Sequence, residues 1–311
     1  METRERALTQ DLFEPAGAGA QDNERIVGPS IGFWSDAWQR LRKNIAAVIG
    51  MVVILIIIAL AFVVGPLLTP HSPYGQDLTR SYVEPLNNGF FFGTDEFGRD
   101  MFARIWEGTR VSLYIAFLAA GLDLVVGATF GAVSGLLGGK VDNVMQRVIE
   151  ILNGIPNLVV AILAMVVLDP GIVTISIALG VAGWTPMARI VRGRVLQLKE
   201  QEFTLASRSL GAGNRRLLLK HLLPNSLGLI VITMMLTIPS AIFYEAVLSF
   251  IGLGIQVPKA SLGALIDNGA GEMRFHPFLL LYPALIFSLL MVCFNLFADG
   301  LRDALDPRMR K

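Results

Sequence analysis

Two carboxyl side chains, Asp123 and Glu245, stand inside long apolar runs. Burying an ionisable group in hydrocarbon is costly, so each marks a functional candidate. Facing a hydrated path, Glu245 could meet the ammonium group of a cargo; facing another helix, it would accept hydrogen bonds that fix packing. Asp123 carries the same two readings. Pro239 and Pro156 also lie in apolar runs, where the missing backbone N–H permits bending. Such a bend serves a gated path or is an ordinary feature of a membrane helix. A charged stretch, Asp95, Glu96, Arg99, Asp100 and Arg104, has the spacing for ionic pairs on a short helix capped by Thr94 or Asp95. It is expected as a polar plug that presents Asp95, Arg99 and Asp100 to an external receptor or to solvent.

Catalytic and metal-binding patterns are missing. Gly138-Gly139-Lys140-Val141 lacks both the leading spacing and the hydroxyl of a phosphate-binding loop, so the chain is not expected to bind ATP. There is no Gly-x-Ser-x-Gly and no His-Glu-x-x-His, and His71, His221 and His276 are scattered. Cys293 is the single cysteine, which excludes an internal disulfide. The expectation is a chain that is not an enzyme and that holds no metal or cofactor.

These residues must be positioned by membrane helices. Of 311 residues, 53% are hydrophobic and 16% charged, against about 45–50% and 25% in an average soluble domain. Mean hydropathy is +0.58. A net charge of +1 points to no nucleic-acid partner. Six apolar windows are long enough to span a bilayer, at roughly 20 residues each: Ile45–Leu68, Val111–Leu137, Val148–Leu168, Ile172–Ile190, Leu227–Ile255 and Pro277–Ala298. The first is longer than a signal core and is preceded by 44 residues, so it is read as an uncleaved span. Placing the N-terminus inside puts 20 of the 26 basic residues on the cytoplasmic side, so both termini are read as cytoplasmic. Gly127, Gly131 and Gly135 share one helix face and mark close packing, within the chain or against a partner.

Between the fourth and fifth windows lies a cytoplasmic loop, 189–225. Residues Glu200 to Leu210 read as a short helix with Phe203, Ala206 and Leu210 on one side, ended by a left-handed Gly211. A second helix runs from Arg215 to Leu223 and stops at Pro224. Such a loop either docks into a groove of a soluble partner or packs on its own spans.

Leu205-Ala206-Ser207, three residues, Gly211, nine residues and His221-Leu222-Leu223-Pro224 resemble the EAA loop of binding-protein-dependent ABC importer permeases. Leu205 stands where that pattern often has Glu, and Ser207 where it has Ala. Phe92 to Asp100 with Gly108 to Leu113, Leu248 to Gly254, and Asp299 to Pro307 resemble the dipeptide/oligopeptide permeases of the C-subunit type in particular. The resemblance runs from about Phe33 to Arg308.

It implies an all-α integral membrane protein of the type I ABC importer permease fold, with six transmembrane helices, in the cell inner membrane. The organisation it implies is a cytoplasmic disordered tail (1–32), an interfacial segment and first span (33–68), an external segment (69–110), a permease core (111–298) and a cytoplasmic tail (299–311). Implied partners are a homologous permease, two cytoplasmic ATPase subunits that carry ATP and Mg, an external substrate-binding protein, membrane lipid and a peptide substrate. Leu205, Ala206, Ser207, Arg208, Leu210, Gly211 and Ala212 would dock the ATPase, while Glu245, Asp123 and Pro239 are translocation-path candidates. Very similar permeases import nickel, and the sequence has no residue that decides the cargo. An ion-coupled secondary transporter would instead need an inverted repeat and mid-membrane charges, to which the sparse acids and the docking loop are opposed.

Overall fold

The computed structural model describes residues 32–168 and 171–305. The expected tail 1–32 lies outside the described residues apart from Gly32, as does the end of the C-terminal tail beyond Leu305. The chain divides into two units after Asp36. Apart from the first residues of the first helix, everything discussed below lies in the second unit, from Ala37 onward.

Among the described residues the architecture is all-helical, with only two isolated β-bridges. Helix α1 (Phe33–Lys43) ends in Arg40, Arg42 and Lys43. Helix α2 (Ile45–Leu68) begins at Asn44, whose side chain accepts from the Ala47 N–H at 3.2 Å. It includes a π-helical turn at Leu60–Val64. Helix α3 (Met101–Leu137) starts at Asp100, the cap of the Phe102 N–H, and has its own π turn at Asp123–Gly127. The second span thus begins ten residues before the apolar window, where buried Arg104 is paired with Asp95.

The third window corresponds to two helices, α4 (Gly139–Asn153) and α5 (Asn157–Val167), bent by 79°. Pro156 caps α5 and cannot donate into the preceding turn, so the apolar run Val148–Leu168 crosses a break. Among the described residues, five helices are long and apolar enough to span a membrane, or six if this bent pair forms one span.

Helix α6 (Ile172–Lys199) extends well past the apolar window that ended at Ile190. A short helix α7 (Glu202–Ser209) follows, then α8 (Asn214–Phe250). Pro224 does not stop the chain: a π turn (Leu218–Leu222) and a 3-10 turn (Pro224–Ser226) carry α8 continuously into the membrane segment. Pro239 lies buried inside α8 and does not interrupt it. Helices α9 (Leu262–Gly271) and α10 (Phe278–Leu305) complete the fold. The residues from Asp299 to Leu305, expected as tail, continue α10, with Ala304 and Leu305 buried.

The main core joins Ile54 of α2, Leu113 and Ile115 of α3, Ile175 of α6, Ile238 and Ile242 of α8 and Leu290 of α10. A second cluster at the other end joins α3, α6 and α8 through Leu136, Val191, Val195 and Leu222. The glycine stripe resolves to packing within the chain: a Cβ at Gly131 would stand 2.2 Å from the Ala188 carbonyl, and one at Gly127 2.7 Å from that of Trp184. Only a face without side chains lets α3 and α6 approach this closely.

Candidate functional site

Helix α7 turns one residue fully inward. Thr204 is buried and its hydroxyl donates to the Leu198 carbonyl at 2.8 Å, which ties α7 to the end of α6. Around it Phe203, Leu205, Ala206, Arg208 and Leu210 are exposed, Leu210 to 89%, while Ser207 is half-buried. Gly211 adopts φ +84, a left-handed conformation that a glycine accepts without strain. Its N–H bonds to Arg208 O at 2.9 Å, and the Ala212 N–H to Ser207 O at 3.1 Å, closing the helix end. The loop expectation therefore holds for the first helix and its cap. Of its two readings, packing on the chain's own spans accounts for Thr204 and for the Phe203 ring, 6.5 Å from that of His221, and leaves Leu205 and Leu210 open.

Glu245 is 0% exposed. Its carboxyl accepts from Ser112 Oγ of α3 at 2.9 Å and from Ser249 Oγ at 2.7 Å. Ser112 Oγ in turn accepts from the Leu262 N–H at 3.2 Å, and Ser261 Oγ from that of Ala264 at 3.2 Å, capping α9. One carboxyl thus links α3, α8 and α9 far apart in sequence. Here Glu245 faces helices rather than a hydrated path. Sequence reasoning assigned no role to these serines, because a hydroxyl such as Ser112 or Ser249 in an apolar run has no pattern until its partner is placed.

Asp123 is also buried, beside α6, where a Cβ at Gly183 would stand 3.0 Å from its Oδ2. Its Oδ1 has no hydrogen-bond partner among the described residues. Asp123 opens the π turn of α3, whose extra residue shifts the helix register locally. Pro239, Glu245 and Asp123 are all buried, and among the described residues no hydrogen bond or ion pair joins the three into one site.

The charged external stretch differs from its expectation. Residues 94–100 form a turn closed by a Thr94–Asp100 bridge, not a helix. Asp95, Arg99, Asp100 and Arg104 are all buried. Asp95 Oδ2 lies 2.7 Å from Arg99 Nε and 3.3 Å from Arg104 Nε, while Oδ1 accepts the backbone N–H groups of Phe97 and Arg99. Asp100 accepts from Thr69 Oγ1 at 2.7 Å, joining the end of α2 to the start of α3. Gly98 is obligatory, because a Cβ there would meet the Asp77 carbonyl oxygen at 1.8 Å. The cluster is an internal clasp, so neither an exposed receptor contact nor a solvated face describes these side chains. Outside it, Tyr74 donates to Glu107 at 2.8 Å, and burial together with that carboxylate pushes its phenol up to about 12. Asp77, which accepts from the Thr79 hydroxyl and N–H, is held below the ordinary carboxylate range chiefly by the hydroxyl hydrogen bond.

At the α7 end of α6 the structure adds a pair that sequence reading did not single out. Arg192 donates to Asp142 through Nε and Nη2, both at 2.6 Å, and Ser134 Oγ donates to the same carboxylate at 2.5 Å. Helices α3, α4 and α6 meet there. Arg192 looked like a loop charge because the apolar window closed at Ile190, two residues before it.

Comparisons with known proteins agree with this geometry. Residues 127–311 match the family model for the binding-protein-dependent transport system inner membrane component, and 32–85 the N-terminal TM domain of oligopeptide transport permease C. The chain is 45% identical to the oligopeptide transport system permease protein OppC of Bacillus subtilis, over 98% of this chain and 99% of that one. It is 46% identical to the dipeptide transport system permease protein DppC of the same organism, over 94% and 91%. With OppC of Escherichia coli the identity is 41%, over 93% and 95%. A solved structure of the MetNI methionine ABC transporter in an inward-facing conformation aligns with a TM-score of 0.54 at 18% identity, covering 64% of this chain and 94% of that chain, a likeness of fold. With the helical architecture and the apolar spans, these matches place the chain in the binding-protein-dependent transport system inner membrane component family, as a multi-pass ABC importer permease of the inner membrane.

Proposed function

We propose that this permease carries di- or oligopeptides inward through a pathway shared with a homologous second permease, fed by an external binding protein. Two cytoplasmic ATPase subunits would hold ATP and Mg, and this chain none. In this reading the bent pair α4–α5 counts as one span, giving six with both termini cytoplasmic. The observation that carries the docking part is α7: a capped helix whose one buried side chain is Thr204, with Phe203, Leu205 and Leu210 exposed around it. An apolar helix flank of this kind suits a groove on a soluble partner. The names of the relatives support the peptide cargo. Closure of the ATPase pair would displace α7 and, through α6, shift the balance between outward and inward access.

The test is uptake of labelled peptide by the reconstituted assembly. Gly211→Val forces a β-branched residue into the left-handed region, at about 1–2 kcal/mol, and Leu210→Glu places charge on the docking flank. Both variants should insert normally, lose uptake and release the ATPase on co-purification. Normal uptake with normal ATPase association would overturn the docking assignment. Labelled nickel ion entering in place of peptide would overturn the cargo.

A further inference from the structure

Helix α4 buries little of itself. Of its 15 residues only Asp142 and Ile149 are buried, whereas Val141, Val144, Val148 and Ile151 are exposed. Near the bend that leads to α5, Ile149 packs on Trp184 and Ala188 of α6, and the Thr185 hydroxyl donates to Asn153 Oδ1 at 2.8 Å. At the opposite end of α4 the buried attachment is Asp142, whose two carboxyl oxygens accept from Nε and Nη2 of Arg192 in α6, each at 2.6 Å.

Two parallel bonds between a guanidinium and a carboxylate fix direction as well as distance. Such a tie resists pulling and twisting, where apolar packing mainly resists approach. Helix α3 is joined at the same point: Ser134 Oγ donates to the Asp142 carboxylate, and Gln146 Nε2 of α4 donates to Ser134 Oγ at 3.1 Å. Lys199, the last residue of α6, adds a second tie. Its Nζ lies 3.4 Å from where a Cβ on Gly138 would stand, at the C-terminal end of α3, where a helix favours a cation. The ends of α3 and α6 and the start of α4 are thus joined by charged groups, close along α6 to Leu198, whose carbonyl holds Thr204 of α7.

A displacement of α7 enters α6 at Leu198, and the start of α4 follows only through Asp142. We propose that Arg192 and Asp142 are positioning residues for transport: they make the joined ends of α3, α4 and α6 move as one body, so that a displacement of α7 by the ATPase is passed to all three helices. The inference rests on the docking assignment of α7 made above. The pair acts through the helices and not on cargo or nucleotide.

The experiment uses the full assembly in liposomes, with uptake of labelled peptide and ATP hydrolysis measured on one sample. Arg192→Gln and Asp142→Asn leave α7 untouched, so both should co-purify with the ATPase and hydrolyse ATP. Peptide taken up per ATP should fall about fivefold or more, the low end of coupling between sites. Arg192→Lys, which keeps a cation for Asp142, should lie between wild type and Arg192→Gln. A second measurement leaves the pair intact: in a Cys293→Ala background, spin labels at exposed Val144 of α4 and exposed Gln197 of α6 report the distance across the joint. That distance should be equal in nucleotide-free and vanadate-trapped assemblies, and should change with nucleotide once Arg192→Gln is added. A distance that changes with nucleotide while Arg192 and Asp142 are both present would overturn the proposal. So would a wild-type ratio of peptide to ATP in Arg192→Gln, or an equal loss in Arg192→Lys and Arg192→Gln. Failure of the docking reading has a different mark, retention of the ATPase by Leu210→Glu.

Discussion

At the scale of single residues, the buried carboxyl at Glu245 shows how a costly group becomes a structural asset. Ser112 and Ser249 surround it with hydroxyl donors, so its removal leaves those hydroxyls buried without an acceptor. Glu245→Ala should therefore lower stability by about 1–3 kcal/mol, read as a lower thermal midpoint of the purified protein, whereas Glu245→Gln keeps one acceptor and loses less. Equal midpoints for both variants and wild type would contradict the tether. The sequence marked Glu245 and Asp123 as exceptional, because charge in an apolar run is visible without a structure. It could not choose between cargo and packing, since Ser112 is 133 positions from its partner. Tyr74 gives a pH-dependent check. Its phenol is raised to about 12, mainly by burial and then by Glu107, so the Tyr74–Glu107 bond is fully present below the ordinary phenol value, about 10, and is lost as pH rises through about 12. Tyr74→Phe should abolish one high-pH step in the tyrosinate absorbance titration.

Elements were legible where one periodic signal decides them and obscure where packing does. The apolar run of α2 has the observed limits, Ile45 to Leu68, since no charge interrupts it. Helix α6 outran its window because Arg192 is neutralised by Asp142, a partner in another helix. The charges at 95–104 had helical spacing, but their pairing occurs across a turn in which Gly98 allows the chain to touch Asp77. The glycine face of α3 yields a sharp comparison. Gly131→Leu drives side-chain atoms into the Ala188 backbone and should cost about 1–3 kcal/mol or more, seen as a lower midpoint and lower yield. Gly121→Leu, on the same helix with open space around it, should behave as wild type. A midpoint unchanged by Gly131→Leu would mean that α3 and α6 separate without cost.

For the whole molecule, the distribution of basic residues predicts which surfaces share a side of the membrane. In a Cys293→Ala background freed of the ATPase subunits, cysteine replacing exposed Leu210 should react with a membrane-impermeant maleimide only from the cytoplasmic side. One replacing exposed Leu78 should react only from outside. Labelling of both from one side would sink the assignment of the termini to the cytoplasm. The same architecture gives α6 a mechanical meaning. Its 28 residues form a rod about 42 Å long at 1.5 Å per residue, longer than the ~30 Å hydrocarbon layer. In the proposed topology its last turns, braced by Arg192 on Asp142, would project beyond that layer on the cytoplasmic side, and they carry α7 through Thr204. A sideways push of about 3 Å at the tip of such a rod, pivoting near its centre, rotates it by about 8°. The far end then moves as far in the opposite direction, so a displacement applied in the cytoplasm reaches the outer leaflet without amplification and without a hinge.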